Sequence, residues 1–131
     1  MNELVAVYGS LRQGMGNHGV ISDNEYVAQT TLSGDYRMVS LGGFPGVMKT
    51  SNPTSPIIIE VYRVTDEHNM RRLDSLEGYR GPGQNNFYDK ELVTLDNGMQ
   101  AYIYLLDEDE YGSYAGVDHG DWVKFKSNQS W

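Results

Sequence analysis

The sequence predicts an α+β fold in which a few short helices pack on a largely antiparallel, barrel-like sheet. Three observations lead there. Segments with strand character outnumber the one well-patterned helix, and Asn97-Gly98 separates two apolar stretches in the manner of a β-hairpin. Such a hairpin excludes a purely parallel sheet. A chain of 131 residues without an interdomain linker or an internal repeat is expected to form one domain, residues 1–131.

Glu3 to Tyr8 reads as a buried strand, because Leu4, Val5, Ala6 and Val7 run without a polar break up to Gly9. Glycines 14, 16 and 19 then interrupt any long helix, and Tyr26 to Leu41 suggests a bent strand or a hairpin around Gly34. A turn-rich patch, Gly42 to Gly46, follows. Pro53 and Pro56 introduce the strongest strand, Ile57 to Val64, whose three consecutive isoleucines argue for burial on both faces.

The best helix comes next. Thr65 or Asp66 can cap it, Glu67 suits the positive end of its dipole, Met70, Leu73 and Leu76 fall on one face, and Gly78 supplies the stop. Glu77 is then its last residue. Arg80 to Asn86 is a loop, leading to the hairpin formed by Phe87 to Leu95 and Met99 to Leu106. With a two-residue turn at Asn97-Gly98, Glu91 is expected to face Tyr104 and Val93 to face Tyr102. An acidic run, Asp107 to Glu110, and a short apolar piece, Trp122 to Phe125, close the chain.

Composition removes several classes of function. Val, Leu, Ile and Phe make up 29 residues, enough for a modest core, and ten tyrosines add amphipathic rings. The apolar runs, such as Leu4 to Val7 and Ile57 to Ile59, are only a few residues long, and the N-terminus carries no basic stretch followed by a long apolar segment, so neither a membrane span nor export is expected. A soluble cytoplasmic protein is the expectation. Without cysteine there is no disulfide and no thiolate nucleophile. Ten bases against eighteen acids, with Arg71-Arg72 the only adjacent basic pair, argue against nucleic acid as a partner.

Four motif-like arrangements fail on context. Gly14-Met15-Gly16-Asn17-His18-Gly19 has dinucleotide-binding spacing, yet Gly9 ends the strand and Ser22 to Asn24 cuts the required helix short. Asp107 to Asp118 resembles a calcium loop but has Tyr111 at its fifth position and no bidentate Glu at its twelfth. His18, His68 and His119 have no metal-ligand spacing, so no metal is expected. Ser10 lacks the second glycine of a nucleophile elbow.

Two features carry chemistry. A carboxylate at the last helical turn, Glu77, meets the negative end of the macrodipole, which raises its pKa toward the range of a general base, unless it is simply a solvated surface acid. Gly9 lets the chain bend at a strand end, so successive N–H groups of Tyr8 to Leu11 can point at an anion or a developing oxyanion. An ordinary strand-to-loop turn would look the same.

These residues lie within a wider pattern. Val7-Tyr8-Gly9-Ser10-Leu11-Arg12, Gly43-Phe44-Pro45-Gly46, Leu73 to Tyr79, Tyr88 and Ala101-Tyr102-Ile103-Tyr104, in that order, resemble the γ-glutamylcyclotransferase-like superfamily, and within it the γ-glutamylamine cyclotransferase and AIG2-like branch. Asn17-His18 and Gly120-Asp121-Trp122 resemble the short bacterial members. The resemblance implies a compact α+β fold around a small mixed β-barrel with a ligand cavity at one mouth. It implies that Tyr8, Gly9, Ser10 and Leu11 form a substrate-binding loop, that Glu77 is the proton acceptor, and that Tyr104 and, more weakly, Tyr88 line the pocket.

The implied partner is a small γ-glutamyl compound whose α-amine attacks its own γ-carbonyl, releasing 5-oxoproline and a free amine without a cofactor. The alternative is a non-catalytic small-molecule binding or interaction protein on the same fold. Arg80 to Asn86 directly follows Glu77, so it either covers the cavity and selects the leaving amine or is a plain surface loop.

Overall fold

The computed structural model describes residues 2–54 and 56–127. In chain order they form β1 (Glu3–Val7), β2 (Glu25–Leu32), β3 (Tyr36–Ser40), β4 (Pro45–Lys49), β5 (Ile57–Val64), α1 (Glu67–Leu76), β6 (Asp89–Thr94), β7 (Gln100–Leu105), α2 (Glu108–Tyr111) and α3 (Trp122–Ser127). A single 3-10 turn, His18–Val20, interrupts the glycine-rich stretch.

Five strands form one sheet in the order β2-β5-β1-β7-β6, with β1 and β7 parallel and every other neighbouring pair antiparallel. The expected α+β arrangement is therefore present, mixed and mostly antiparallel. The sheet is not a closed barrel, since β2 and β6 remain its edges. It curls far enough for the edges to meet at one end: the Asp96 N–H in the β6–β7 turn donates to the Thr31 carbonyl of β2 at 2.9 Å. The Asp96 carboxylate also accepts from the hydroxyls of Thr31 and Ser33. The β3–β4 ribbon packs beside this sheet, with the Leu106 N–H donating to the Val47 carbonyl at 2.8 Å and Lys49 paired with Glu91 of β6.

β5 is flanked by strands on both sides and buried on both faces, as its isoleucine run predicts. Ile57, Ile59 and Val61 pack with Ala6, Ile103 and Trp122, whereas Tyr62 and Val64 pack with Val5 and Leu73 on the opposite face. Each such aliphatic side chain contributes about 1.5–3 kcal/mol relative to exposure. Among the described residues no helix is long and apolar enough to cross a membrane.

α1 begins where its cap predicts, with the Asp66 carboxylate accepting from the His68 N–H at 2.7 Å. It stops by a glycine device: Gly78 adopts φ +67°, and the Tyr79 N–H reaches back to the Asp74 carbonyl at 2.8 Å. Met70 and Leu73 are buried, but Leu76, expected on the same face, is not. The 100° step per residue carries it past the buried stripe.

Two expectations are corrected. Tyr26 to Leu41 is neither one bent strand nor a hairpin, because β2 pairs with β5 and β3 pairs with β4. The β6–β7 loop has three residues, Asp96-Asn97-Gly98, with Leu95 and Met99 bonded across it and Gly98 at φ +88°. The register is therefore one residue from the expected one: Lys90 faces Tyr104, Leu92 faces Tyr102, and Val93 faces Ala101. A slip of one exchanges the faces of the strand, so Glu91 turns away from Tyr104 and toward Lys49.

Candidate active site

A cleft of about 440 Å³ opens beyond the carboxyl end of β1. The chain leaves the strand through Tyr8 and Gly9 and turns, the Arg12 N–H donating to the Gly9 carbonyl at 3.0 Å. Asn17 closes the loop from the far side, its N–H bonding the Ser10 carbonyl and its side-chain amide the Ser10 hydroxyl, both at 2.9 Å. The N–H groups of Gly9, Ser10 and Leu11 have no acceptor among the described residues, and all three residues line the cleft. Gly9 is needed for close approach rather than for a positive φ: a Cβ there would stand 2.6 Å from the Pro45 ring.

A buried ion pair fixes this loop to the sheet. Arg12 Nε donates to Glu60 Oε2 and Nη1 to Asp121 Oδ1, each at 2.9 Å. Glu60 Oε1 accepts from the Gln13 N–H and the Tyr62 hydroxyl, both at 3.0 Å. Arg12 is 6% exposed and Glu60 3%, so their charges are taken from water and each needs the other. An acid set between the Ile57 to Ile59 run and Val61 in this buried strand was the available sign of this pair.

Glu77 is the C-cap residue of α1, directly after its last turn, and it lines the cleft. Its carboxyl is half-buried, and burial pushes its pKa up to about 7. Tyr8, Tyr88 and Tyr104 surround it closely enough that its charge raises all three phenols, in addition to the larger effect of their burial. Each of these hydroxyls is already committed as a donor. Tyr8 bonds the Tyr104 carbonyl at 2.7 Å, Tyr88 the Pro45 carbonyl at 2.6 Å, and Tyr104 the Asp74 carboxylate at 2.7 Å. Glu77 is thus the side chain near this centre that can both hold and release a proton close to neutral pH.

The structure brings together Tyr8, Gly9, Ser10, Leu11, Glu77, Tyr88 and Tyr104 around one cleft. Sequence reading did not single out Asp74 and Lys90: Lys90 Nζ bonds Asp74 at 2.9 Å and lies 5.7 Å from the Tyr104 ring centroid, so the pair holds that ring. Correct hairpin register would have exposed this contact. Phe44, Leu76 and Phe87 were also missed as cleft residues. Arg80 to Asn86 does not line the cleft; Asn86 closes the loop by accepting from the Arg80 N–H at 2.6 Å and donating to the Gly81 carbonyl at 2.9 Å. Among the described residues no three His, Asp or Glu side chains are placed to hold a metal ion. Asp107 caps α2 through the Asp109 N–H instead of opening a calcium loop.

A family model described as gamma-glutamyl cyclotransferase, AIG2-like, matches residues 5–124. A Vibrio cholerae protein provisionally named a gamma-glutamylcyclotransferase is 32% identical over 124 residues, covering 95% of this chain and 98% of that one. The gamma-L-glutamyl-butirosin B gamma-glutamyl cyclotransferase of Niallia circulans is 26% identical over 92% of this chain and 75% of its own. The crystal structure of an AIG2-like protein from Mus musculus superposes with a TM-score of 0.69 at 19% identity, over 89% of this chain and 86% of that chain, a likeness of fold.

Proposed function

This chain belongs to the gamma-glutamyl cyclotransferase, AIG2-like family, and from that premise we propose that it releases 5-oxoproline from γ-glutamyl amines or related small γ-glutamyl compounds, with Glu77 as general acid and base. The observation that carries the reading is Glu77 itself: a half-buried carboxylate with its pKa pushed up to about 7, facing a loop whose N–H groups lack acceptors.

The chemistry follows from these two parts. Glu77 takes a proton from the substrate's α-ammonium, and the freed amine attacks the γ-carbonyl carbon, closing a five-membered ring. The carbonyl oxygen becomes an oxyanion, for which the Gly9, Ser10 and Leu11 N–H groups are the donors. The amide C–N bond then breaks as Glu77 returns its proton to the leaving nitrogen, and the ring nitrogen, which attacked as NH2, passes its extra proton to the freed amine, which departs as an ammonium. Atoms balance without water or a cofactor. Holding the chain curled supplies much of the acceleration, since well-oriented intramolecular reactions reach effective molarities of about 10⁵ M or more. Tyr8, Tyr88 and Tyr104 shape the cavity around the reacting atoms, their hydroxyls being engaged within the protein.

The test is 5-oxoproline release, followed by mass spectrometry, from γ-glutamyl amines, γ-glutamyl dipeptides and glutathione, with Glu77→Gln beside the wild type. Product from the wild type and none from the folded variant is the expected result. An equally active variant would remove Glu77 from the mechanism, and no product from any substrate would favour a protein that binds without turnover.

A further inference from the structure

Among the described residues Glu77 is the one Asp, Glu, Lys, Arg or His side chain in the cleft wall. The outer part of the wall is apolar. Phe44, Leu76 and Phe87 stand there at 38%, 43% and 42% exposure, half of the six large hydrophobic side chains left exposed among the described residues. Scattered exposed apolar residues are ordinary, but three gathered at the mouth of one cavity mark a binding surface. The two phenylalanine rings lie side by side with centroids 6.0 Å apart and their planes tilted by 56°. Phe87 is also held in place: its ring meets Tyr88 edge-on at 4.9 Å and Tyr111 at 5.7 Å, and its N–H donates to the Gly78 carbonyl at 3.0 Å.

This surface adjoins the proposed acid. Leu76 precedes Glu77 in the chain, and the Tyr88 N–H bonds the Glu77 carbonyl at 3.3 Å, which brings the Phe87-Tyr88 segment alongside it. If Glu77 protonates the leaving nitrogen, the substituent on that nitrogen must pass against Leu76, Phe87 and Phe44. We infer that the leaving amine carries an apolar, uncharged substituent, arylalkyl or branched alkyl; this rests on the cyclotransferase reading and narrows its substrate class.

The alternatives conflict with the wall. A leaving amino acid or dipeptide would carry its carboxylate past two rings with no cation among the described lining residues, and a diamine would carry a second ammonium past them with only Glu77, already engaged at the reacting nitrogen. A cation can sit over a phenylalanine face, but at an exposed site that attraction is weaker than burial of an apolar group of similar size. The wall therefore selects for the neutral substituent.

The experiment compares kcat/KM for 5-oxoproline release from γ-L-glutamyl amides of phenethylamine, isoamylamine, methylamine, putrescine and glycine. The phenethylamide and isoamylamide should exceed the putrescine and glycine amides by about tenfold or more, the usual discrimination of an apolar pocket. In Phe44→Ala/Phe87→Ala the ratio of phenethylamide to methylamide should fall about tenfold. If that variant does not fold, inhibition of the wild type supplies the second readout: phenethylamine should compete with substrate where putrescine does not. Product formed as fast or faster from the charged amides overturns the inference and leaves the cyclotransferase reading standing. No product from any amide overturns both.

Discussion

The Tyr8 hydroxyl donates to the Tyr104 carbonyl at 2.7 Å and accepts from the Val47 N–H at 3.3 Å. One phenol therefore joins the ends of two parallel strands, β1 and β7, to the β3–β4 ribbon, and it does so beneath the cleft. Burial holds this phenol protonated, its pKa raised well above the ordinary value, so its donor role is fixed at all working pH.

Tyr8→Phe removes the oxygen and leaves the Val47 N–H and the Tyr104 carbonyl without that partner in the interior. Its cost is expected at about 1–3 kcal/mol, since an orphaned buried group loses its full desolvation energy. Urea unfolding of the two proteins, with an unchanged m-value, measures it. A variant as stable as the wild type would show that water or a shifted strand replaces the bond.

The raised pKa of Glu77 sets the direction of a pH effect on rate. As a base it works ionised, so kcat/KM for a γ-glutamyl amide should climb with pH through about 7 and then level until other groups titrate. A profile already flat from pH 5 upward would place the essential proton on another group.

The same shift has a stability signature of definite sign. The folded chain holds the Glu77 proton up to about pH 7, whereas the unfolded chain releases it near 4.5. Between those values the native state binds more protons, so this group's contribution to stability falls as pH rises and stays constant above about 7. Glu77→Gln should remove that slope and be the more stable protein at pH 8 by on the order of 2 kcal/mol. Parallel unfolding curves at pH 5 and pH 8 read the difference directly.

The Arg12–Glu60 pair gives a prediction in which one loss is worse than two. Glu60→Ala leaves a nearly buried guanidinium with only the partly exposed Asp121 carboxylate as its partner and deprives the Gln13 N–H and the Tyr62 hydroxyl of their acceptor, at a cost expected near the lower end of the range for breaking a buried pair, about 3 kcal/mol. Because Arg12 and Gln13 follow Leu11, KM should rise in the same variant. The apolar double replacement Arg12→Met/Glu60→Leu should recover most of the stability, as exchanged buried pairs commonly do, without restoring KM. A double-mutant cycle with denaturant and steady-state kinetics separates the two effects.

Local chemistry was what the sequence displayed well. The Asp66 cap, the Gly78 stop and the isoleucine run of β5 depend on neighbours in the chain, and all stand where their patterns put them. Ordered motifs likewise drew Tyr8 to Leu11 and Glu77 toward one site. What escaped depends on a backbone choice or on distant packing. Asn97-Gly98 fits a two-residue turn as well as the last two residues of a three-residue one; Gly98 takes a positive φ in both, and Asn97, whose φ is not positive here, decides between them. That single residue determines whether Glu91 or Lys90 faces Tyr104, and so whether the Asp74–Lys90 support can be seen. The apolar mouth was hidden for another reason: Leu76 repeats the three-residue interval of Met70 and Leu73, although each such step drifts around the helix and leaves it outside the buried stripe, while Phe44 and Phe87 sit in turns where no periodicity distinguishes core from cleft.

Gly9 provides the last test, because its side of the cleft has no room for a methyl group. A Cβ would lie 2.6 Å and 2.8 Å from two carbons of the Pro45 ring, and Pro45 is rigid and begins β4. Gly9→Ala must therefore push the loop away from the ribbon. Pro45 also supplies the carbonyl that holds the Tyr88 hydroxyl at 2.6 Å, so the displacement is passed to a second wall of the cavity. Overpacking of this kind costs about 1–3 kcal/mol, which a fold of this size survives. The oxyanion donors, however, act over a few tenths of an ångström. The expected result is a folded protein by circular dichroism with kcat reduced about tenfold to a hundredfold, the loss attending partial misplacement of one such donor. Full activity in Gly9→Ala would mean that the reaction does not use these N–H groups, and the oxyanion would have to be stabilised from another side of the cleft.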